Sequence, residues 1–296
     1  MKLGIIGNLG KRELPGAVTL FLGHLDREQV QYVVEAGIAR LLSALVPPVV
    51  PVHVASEEEC MKSADILVTF GGDGTILSAA RLVGPVGTPV LGINLGKLGF
   101  LAEVAPGEMA EAIRDLLDGH YVVEERSVLR GESPQLDGRK LNAANDIVVA
   151  KGRSSRVIGL NILVNGKFAV TYRGDGVILS TPTGSTAYAL SNGGPIVVPG
   201  SRVLGLTPIS PHSLSGRPLI LPDDAIVTVQ GPPDTEDVLV SVDGQEEAVI
   251  RAPFEVQIRC ADYRLRLVRR TTRSYFDVLR AKLLWGTDSR SGLDQR

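Results

Sequence analysis

Cysteine is nearly absent. Cys60 and Cys260 are the only two among 296 residues. They lie far apart, in no spacing that a metal or a redox pair uses, which argues against a disulfide framework and for buried thiols in a reduced, cytoplasmic setting. Histidine is as sparse: His24, His53, His120 and His212 are scattered, and no zinc site can be built from them. A basic surplus is missing too. The 31 Lys and Arg stand against 33 Asp and Glu, a formal net charge of -2, so a nucleic-acid partner, whose phosphates call for a cationic surface, is disfavoured. No apolar run approaches the length that crosses a bilayer, and no membrane partner is expected. The first seven residues read as a strand and not as an export signal, because the apolar segment is short and Asn8 and charged residues follow.

What is present is enough apolar surface for large cores, 44% hydrophobic residues in a chain long enough for two domains. Up to about Gly119, short apolar strands alternate with longer helical segments. That is the pattern of an α/β domain with a Rossmann-like parallel sheet covered by helices. Asp26 and Gln29 have the form of a capping box for a helix over 30–45, with Val30, Val33, Val34, Ile38, Leu41, Leu42 and Leu45 at helical spacing and Pro47-Pro48 as its stop. Strands are expected over 49–54, 66–70 and 89–93, and helices over 75–83 and 106–117. From about Tyr121 to Val268 the helical period vanishes. Short alternating runs separated by Asp137-Gly138, Asn165-Gly166 and Asp243-Gly244 predict an all-β, antiparallel second domain. A last helix over 274–285 is expected to pack back on the first domain. This assigns residues 1–118 and 270–286 to the α/β domain, 119–269 to the β-rich domain, and 287–296 to a disordered tail.

Two stretches carry chemistry. In the first, the strand ending at Phe70 runs into Gly71-Gly72-Asp73-Gly74-Thr75. Gly71, Gly72 and Thr75 form a phosphate-sized turn at a helix N-terminus, and Asp73 is a carboxylate that phosphates would repel unless a metal or a proton-donating hydroxyl offsets it, which points to chemistry more than packing. A tight turn is the plain alternative. The loop after the strand at 89–93, Asn94-Leu95-Gly96-Lys97-Leu98-Gly99-Phe100-Leu101, leaves from the same strand end, where ligands gather in open α/β sheets. The second stretch, 172–191, joins a strand to a loop with five hydroxyls between Thr181 and Tyr188 that enters a helix. Those hydroxyls can meet sugar and phosphate oxygens, or they can be an N-cap cluster.

Gly71-Gly72-Asp73-Gly74-Thr75, Leu98-Gly99-Phe100-Leu101, Asn145-Asp146, Gly174-Asp175-Gly176, Thr181-Pro182-Thr183-Gly184-Ser185-Thr186-Ala187-Tyr188, Gly193-Gly194-Pro195 and Asp243-Gly244-Gln245 resemble, in order and spacing, the motifs of NAD kinases. The first motif is shared with diacylglycerol-type lipid kinases and loosely with phosphofructokinases; the Thr181 to Tyr188 string is more restrictive. The resemblance implies phosphorylation of the 2'-hydroxyl on the adenosine ribose of NAD by ATP, another nucleoside triphosphate or polyphosphate, with Mg2+ as counter-charge. It implies Asp73 as general base and Gly74 beside the ribose. Asn145 and Asp146 fall where the family has an Asn-Glu pair on ribose hydroxyls, here one methylene shorter. Asp175 corresponds to a contact at the nicotinamide end, Thr186, Ala187, Tyr188, Ala189, Leu190 and Ser191 to the segment around the adenine, and Gln245 to a further contact. Arg156 and Arg173 align with positions that approach the dinucleotide, often from a neighbouring subunit. A solvated arginine explains Arg156 equally well. The cation of Arg173 is expected to favour oxidised over reduced dinucleotide, and equal turnover of NAD and NADH would count against that. The family also implies a homo-oligomer, dimer or tetramer, with the substrate in a cleft between the domains. A lipid or sugar kinase, or a non-catalytic dinucleotide-binding protein, are the alternative readings.

Overall fold

The computed structural model describes residues 1–51, 53–96, 99–152, 156–213, 216–271 and 273–283. The chain forms two compact units, one of Met1–Glu124 with Arg266–Arg296, the other Glu125–Leu265. The expected tail over 287–296 lies outside the described residues.

The first unit contains β1 (Lys2–Gly7), α1 (Leu14–Arg27), β2 (Gln31–Glu35), α2 (Ala36–Ser43), β3 (Val54–Ala55), α3 (Glu57–Ser63), β4 (Ile66–Gly71), α4 (Asp73–Val83), β5 (Val90–Asn94), α5 (Met109–Asp118) and β6 (Tyr121–Arg126). The strands from β1 to β5 pair in parallel, as their short, nearly all-apolar runs require when both faces are covered. β4 is buried along its whole length. The expected helix over 30–45 is replaced by β2 running directly into the shorter α2, and a further helix, α1, precedes them. Tyr32, Val33 and Val34 are buried between β1 and β3, and Gln29 takes a positive φ of 54° that ends the preceding segment. A short β-branched run fits a buried strand as well as a helix, and here sheet pairing decides. Glu35 then caps α2 by accepting from the amides of Gly37 and Ile38. The strand expected over 49–54 is reduced to β3.

The second unit contains β7 (Leu129–Glu132), β8 (Leu141–Ala143), β9 (Asp146–Lys151), β10 (Ile158–Val164), β11 (Lys167–Gly174), β12 (Gly176–Ser180), the one-turn α6 (Tyr188–Ser191), β13 (Val203–Ile209), β14 (Leu219–Pro222), β15 (Val227–Gly231), β16 (Val238–Val242), β17 (Glu246–Ile250) and β18 (Phe254–Cys260). Two six-stranded sheets, ordered β11-β10-β15-β18-β7-β8 and β14-β13-β12-β9-β16-β17, share one apolar core that includes Leu160, Ile162, Val149, Leu179 and Val240. The pairings are antiparallel throughout, and Asn165-Gly166 and Asp243-Gly244 are left-handed turn pairs joining β10 to β11 and β16 to β17.

The chain then returns through β19 (Leu265–Arg270) and α7 (Tyr275–Leu283). β19 is inserted between β5 and β6, completing a seven-stranded sheet ordered β3-β2-β1-β4-β5-β19-β6. So β6 and β19, read from sequence with the antiparallel part, lie in the sheet of the first unit. α7 belongs to that unit as well, with Ser274 capping it through the Asp277 amide and side chain.

Candidate functional site

The chain passes from β4 through Gly71 and Gly72 into α4, and Asp73 is the first residue of that helix. A carboxylate in the first turn is favoured by the helix dipole. Its oxygens are also claimed from outside the helix. The amide of Phe100 donates to Oδ2 at 2.8 Å, and the amides of Leu101 and Ala102 donate to Oδ1, both at 3.0 Å. The turn that presents these amides is closed by Gly99 N–H donating to Ala102 O. Gly99 has no side chain because none fits: a Cβ there would stand 1.8 Å from Asp73 Oδ1. The carboxylate is half-buried, and Oδ2, with one donor among the described residues, keeps accepting capacity. Gly72 and Gly74 flank it; Gly72 O accepts from the Thr75 amide, and Gly71 packs on the Thr75 side chain.

In the second unit the structure brings Asn145 and Asp146 together with Asp243. The Asp243 carboxylate accepts from the amides of Ala144, Asn145 and Asp146 and so fixes the start of β9. Asp243 has the positive φ of its turn, which Gln245 N–H closes onto Val242 O. The Asp146 carboxyl is 4% exposed. Burial, and then the charge of Asp243, push its pKa up to about 7. A carboxyl with a raised pKa binds its proton more tightly folded than unfolded, so it stabilises the fold fully below its unfolded pKa. That stability falls as pH climbs from about 4 to about 7, by on the order of 4 kcal/mol. Asp146→Asn is therefore expected to gain stability over the wild-type chain as pH rises across that window. Urea unfolding of both at pH 4, 5.5 and 7.5 checks this; a constant difference would contradict it.

The loop after β12 wraps around the same pair. Gly184 lies so close that a Cβ would stand 2.1 Å from Asn145 O. The hydroxyls of this loop mostly serve the loop itself. Thr181 Oγ1 donates to Ala144 O and accepts from Gly184 N–H, Ser185 Oγ donates to Pro182 O, and Thr186 Oγ1 donates to Thr183 O. The helix they were expected to feed is only the single turn α6, which no side chain caps; the hydroxyls of Thr181, Ser185 and Thr186 close the loop on itself and do not cap a helix. Tyr188 is exposed and Ala189 is buried against Val148, Ile178 and Ile209; Ala187 and Leu190 are half-buried and Ser191 is exposed.

Asp175 pairs with Lys151 at 2.7 Å, and that hydrogen bond is the main reason its pKa lies below the usual carboxylate value, with Ser210 and His212 contributing. Arg156 and Arg173 line one hollow of about 510 Å³, together with Thr171, Asp234 and Glu236. Among the described residues no group of three or more His, Cys, Asp or Glu gathers as a metal site. Sequence reading passed over Asp243 and Lys151 as site residues. Asp243 counts there as part of a turn and of the Asp243-Gly244-Gln245 motif, with no role of its own, and nothing in the chain order marks Lys151 as the partner of Asp175.

A family model for the ATP-NAD kinase N-terminal domain matches residues 27–121, and one for the ATP-NAD kinase C-terminal domain matches residues 144–270. NAD kinase of Geobacter metallireducens is 40% identical over 290 residues, covering 96% of this chain and 99% of the relative. NAD kinase of Bacteroides fragilis is 46% identical over 231 residues, covering 77% and 78%. The crystal structure of yeast NADH kinase complexed with NADH superposes with a TM-score of 0.88 at 28% identity, over 97% of this chain and 89% of that one. An NAD kinase from Archaeoglobus fulgidus in complex with ATP shares the fold, with a TM-score of 0.73 at 23% identity over 96% and 99%.

Proposed function

Because the chain belongs to the NAD kinase family, we propose that it transfers the terminal phosphoryl group of ATP to the 2'-hydroxyl of the adenosine ribose of NAD, giving NADP. The bond from the ribose oxygen to phosphorus forms, the bridging bond to the β-phosphate breaks, ADP leaves, and the hydroxyl proton passes to Asp73. One observation carries this reading: a carboxylate at a helix start, oriented by three amides, with one oxygen still able to accept. In such a transfer the proton moves late, so a positioned, weakly basic group suffices.

Magnesium enters as part of the nucleotide substrate, bridging donor phosphates, where it neutralises charge. Asn145 and Asp146 hold ribose hydroxyls, Asp175 the nicotinamide end, and the 186–191 segment with Gln245 the adenine side. Arg156 and Arg173 are placed to meet an anionic group. The protein acts in the cytoplasm, in keeping with its two unpaired thiols. It works as a homo-oligomer, for which the exposed Phe168, Leu219 and Ile220 on the outer strands β11 and β14 supply apolar contact surface; light scattering giving a single-chain mass at working concentration would refute that.

The decisive assay mixes the protein with NAD and MgATP and follows NADP with an NADP-specific dehydrogenase. NADP is expected. Label transfer to diacylglycerol in its place would point to a lipid kinase, and tight NAD binding with no transfer to a binding protein.

A further inference from the structure

The turn that holds Asp73 is itself held, from the far end of the chain. Glu103 follows directly on the three donating residues and is 4% exposed. Its Oε1 accepts from the Arg270 amide at 2.8 Å, its Oε2 stands 3.0 Å from Nη2 of Arg269, and its backbone oxygen accepts from Arg273 Nη1 at 3.2 Å. Arg269, also 4% exposed, reaches back with Nη1 to Phe100 O at 3.4 Å. Lys282 of α7 places its ammonium 5.1 Å from the centre of the Phe100 ring. Arg270 and Arg273 are anchored in turn on α5 and the turn before it, through Asp115, Glu111 and Glu108.

A buried ion pair is a poor stabiliser compared with apolar packing, because both charges are desolvated. Its geometry matters more. Arg269 holds Phe100, the first of the three residues whose amides point at Asp73, and Glu103, the residue that follows the last of them.

We propose that Arg269, paired with Glu103, is a positioning residue for phosphoryl transfer, fixing the 100–103 turn so that its amides set the orientation of the Asp73 carboxylate. This rests on the reading of Asp73 as base. Displacing a catalytic group by about 1 Å can cost on the order of 100-fold in rate without weakening substrate binding, and the effect must pass through Asp73.

Arg269→Lys keeps the charge but loses the planar fork that reaches Glu103 and Phe100 together. It is expected to lower kcat about 10- to 100-fold with KM for NAD and ATP within about threefold. In an Asp73→Asn background the same substitution is expected to cost less than about threefold more, since the group it positions is already gone. Lys282→Ala, on the exposed face, guards against a folding defect: kcat falls about two- to fivefold, melting is unchanged, and amide exchange at Phe100 to Ala102 quickens. An Arg269→Lys enzyme with full kcat, or one losing the same factor in both backgrounds, overturns the proposal, as does an unchanged exchange rate in Lys282→Ala. If Asp73→Asn alone keeps full turnover, it is the base assignment that fails.

Discussion

Asp73→Asn is expected to reduce kcat for NADP formation by roughly 1,000-fold, within the range for loss of a general base, while the dissociation constant for NAD changes only a few-fold. The amide is nearly isosteric. Its oxygen can keep the Leu101 and Ala102 donors, but its NH2 group then meets the Phe100 amide, donor against donor. The substitution thus removes the proton acceptor and loosens one of three hydrogen bonds, a local cost of about 1–3 kcal/mol. Steady-state rates and calorimetric NAD titration, run on protein of matched melting temperature, separate the two effects. Turnover within tenfold of the parent would show that the proton goes elsewhere.

Gly99→Ala should also be damaging, although it removes no polar atom. The added methyl would lie 1.8 Å from Asp73 Oδ1 and 2.6 Å from its Cγ. The carboxylate cannot swing away without giving up its amide donors, so the turn or the helix start must move. We expect kcat to fall about 100-fold or more, the scale of a misplacement of about 1 Å. Gly96→Ala, in the same loop, is the control, because among the described residues beyond its chain neighbours its new methyl would meet Asn94 Oδ1 at 3.9 Å and nothing nearer. Equal activities for the two variants would mean that the turn yields freely and that the three amides do not matter to the rate.

The α/β and antiparallel halves were legible because each has a distinct period, and Asp73 was legible because glycines crowd around it after a buried strand. The helix over 14–27 opens on Pro15 and Gly16, residues of low helix propensity that blur its start in the sequence, although proline is tolerated in a first helical turn. The segment from Val30 to Val34 went to the wrong class because an apolar run that short serves either period. In the site, side chains that act across long sequence distances were invisible. Asp243 holds the 144–146 amides from nearly a hundred residues away, and Glu103 meets Arg269 from still further. No local pattern encodes such pairs; the strands that bring them together do.

The place of β19 between β5 and β6 has a consequence for synthesis. On the ribosome, β5 emerges with its outer edge met only near its end, where Val104 pairs beside Gly92 and Asn94, and the strand that will cover the Val90 end is separated from it by the entire antiparallel unit. At translation rates of about 5–20 residues per second, that edge waits on the order of ten seconds. An open edge is a template for pairing with other chains, so the nascent protein is most exposed to aggregation, and most in need of a chaperone, just before its last strand leaves the exit tunnel.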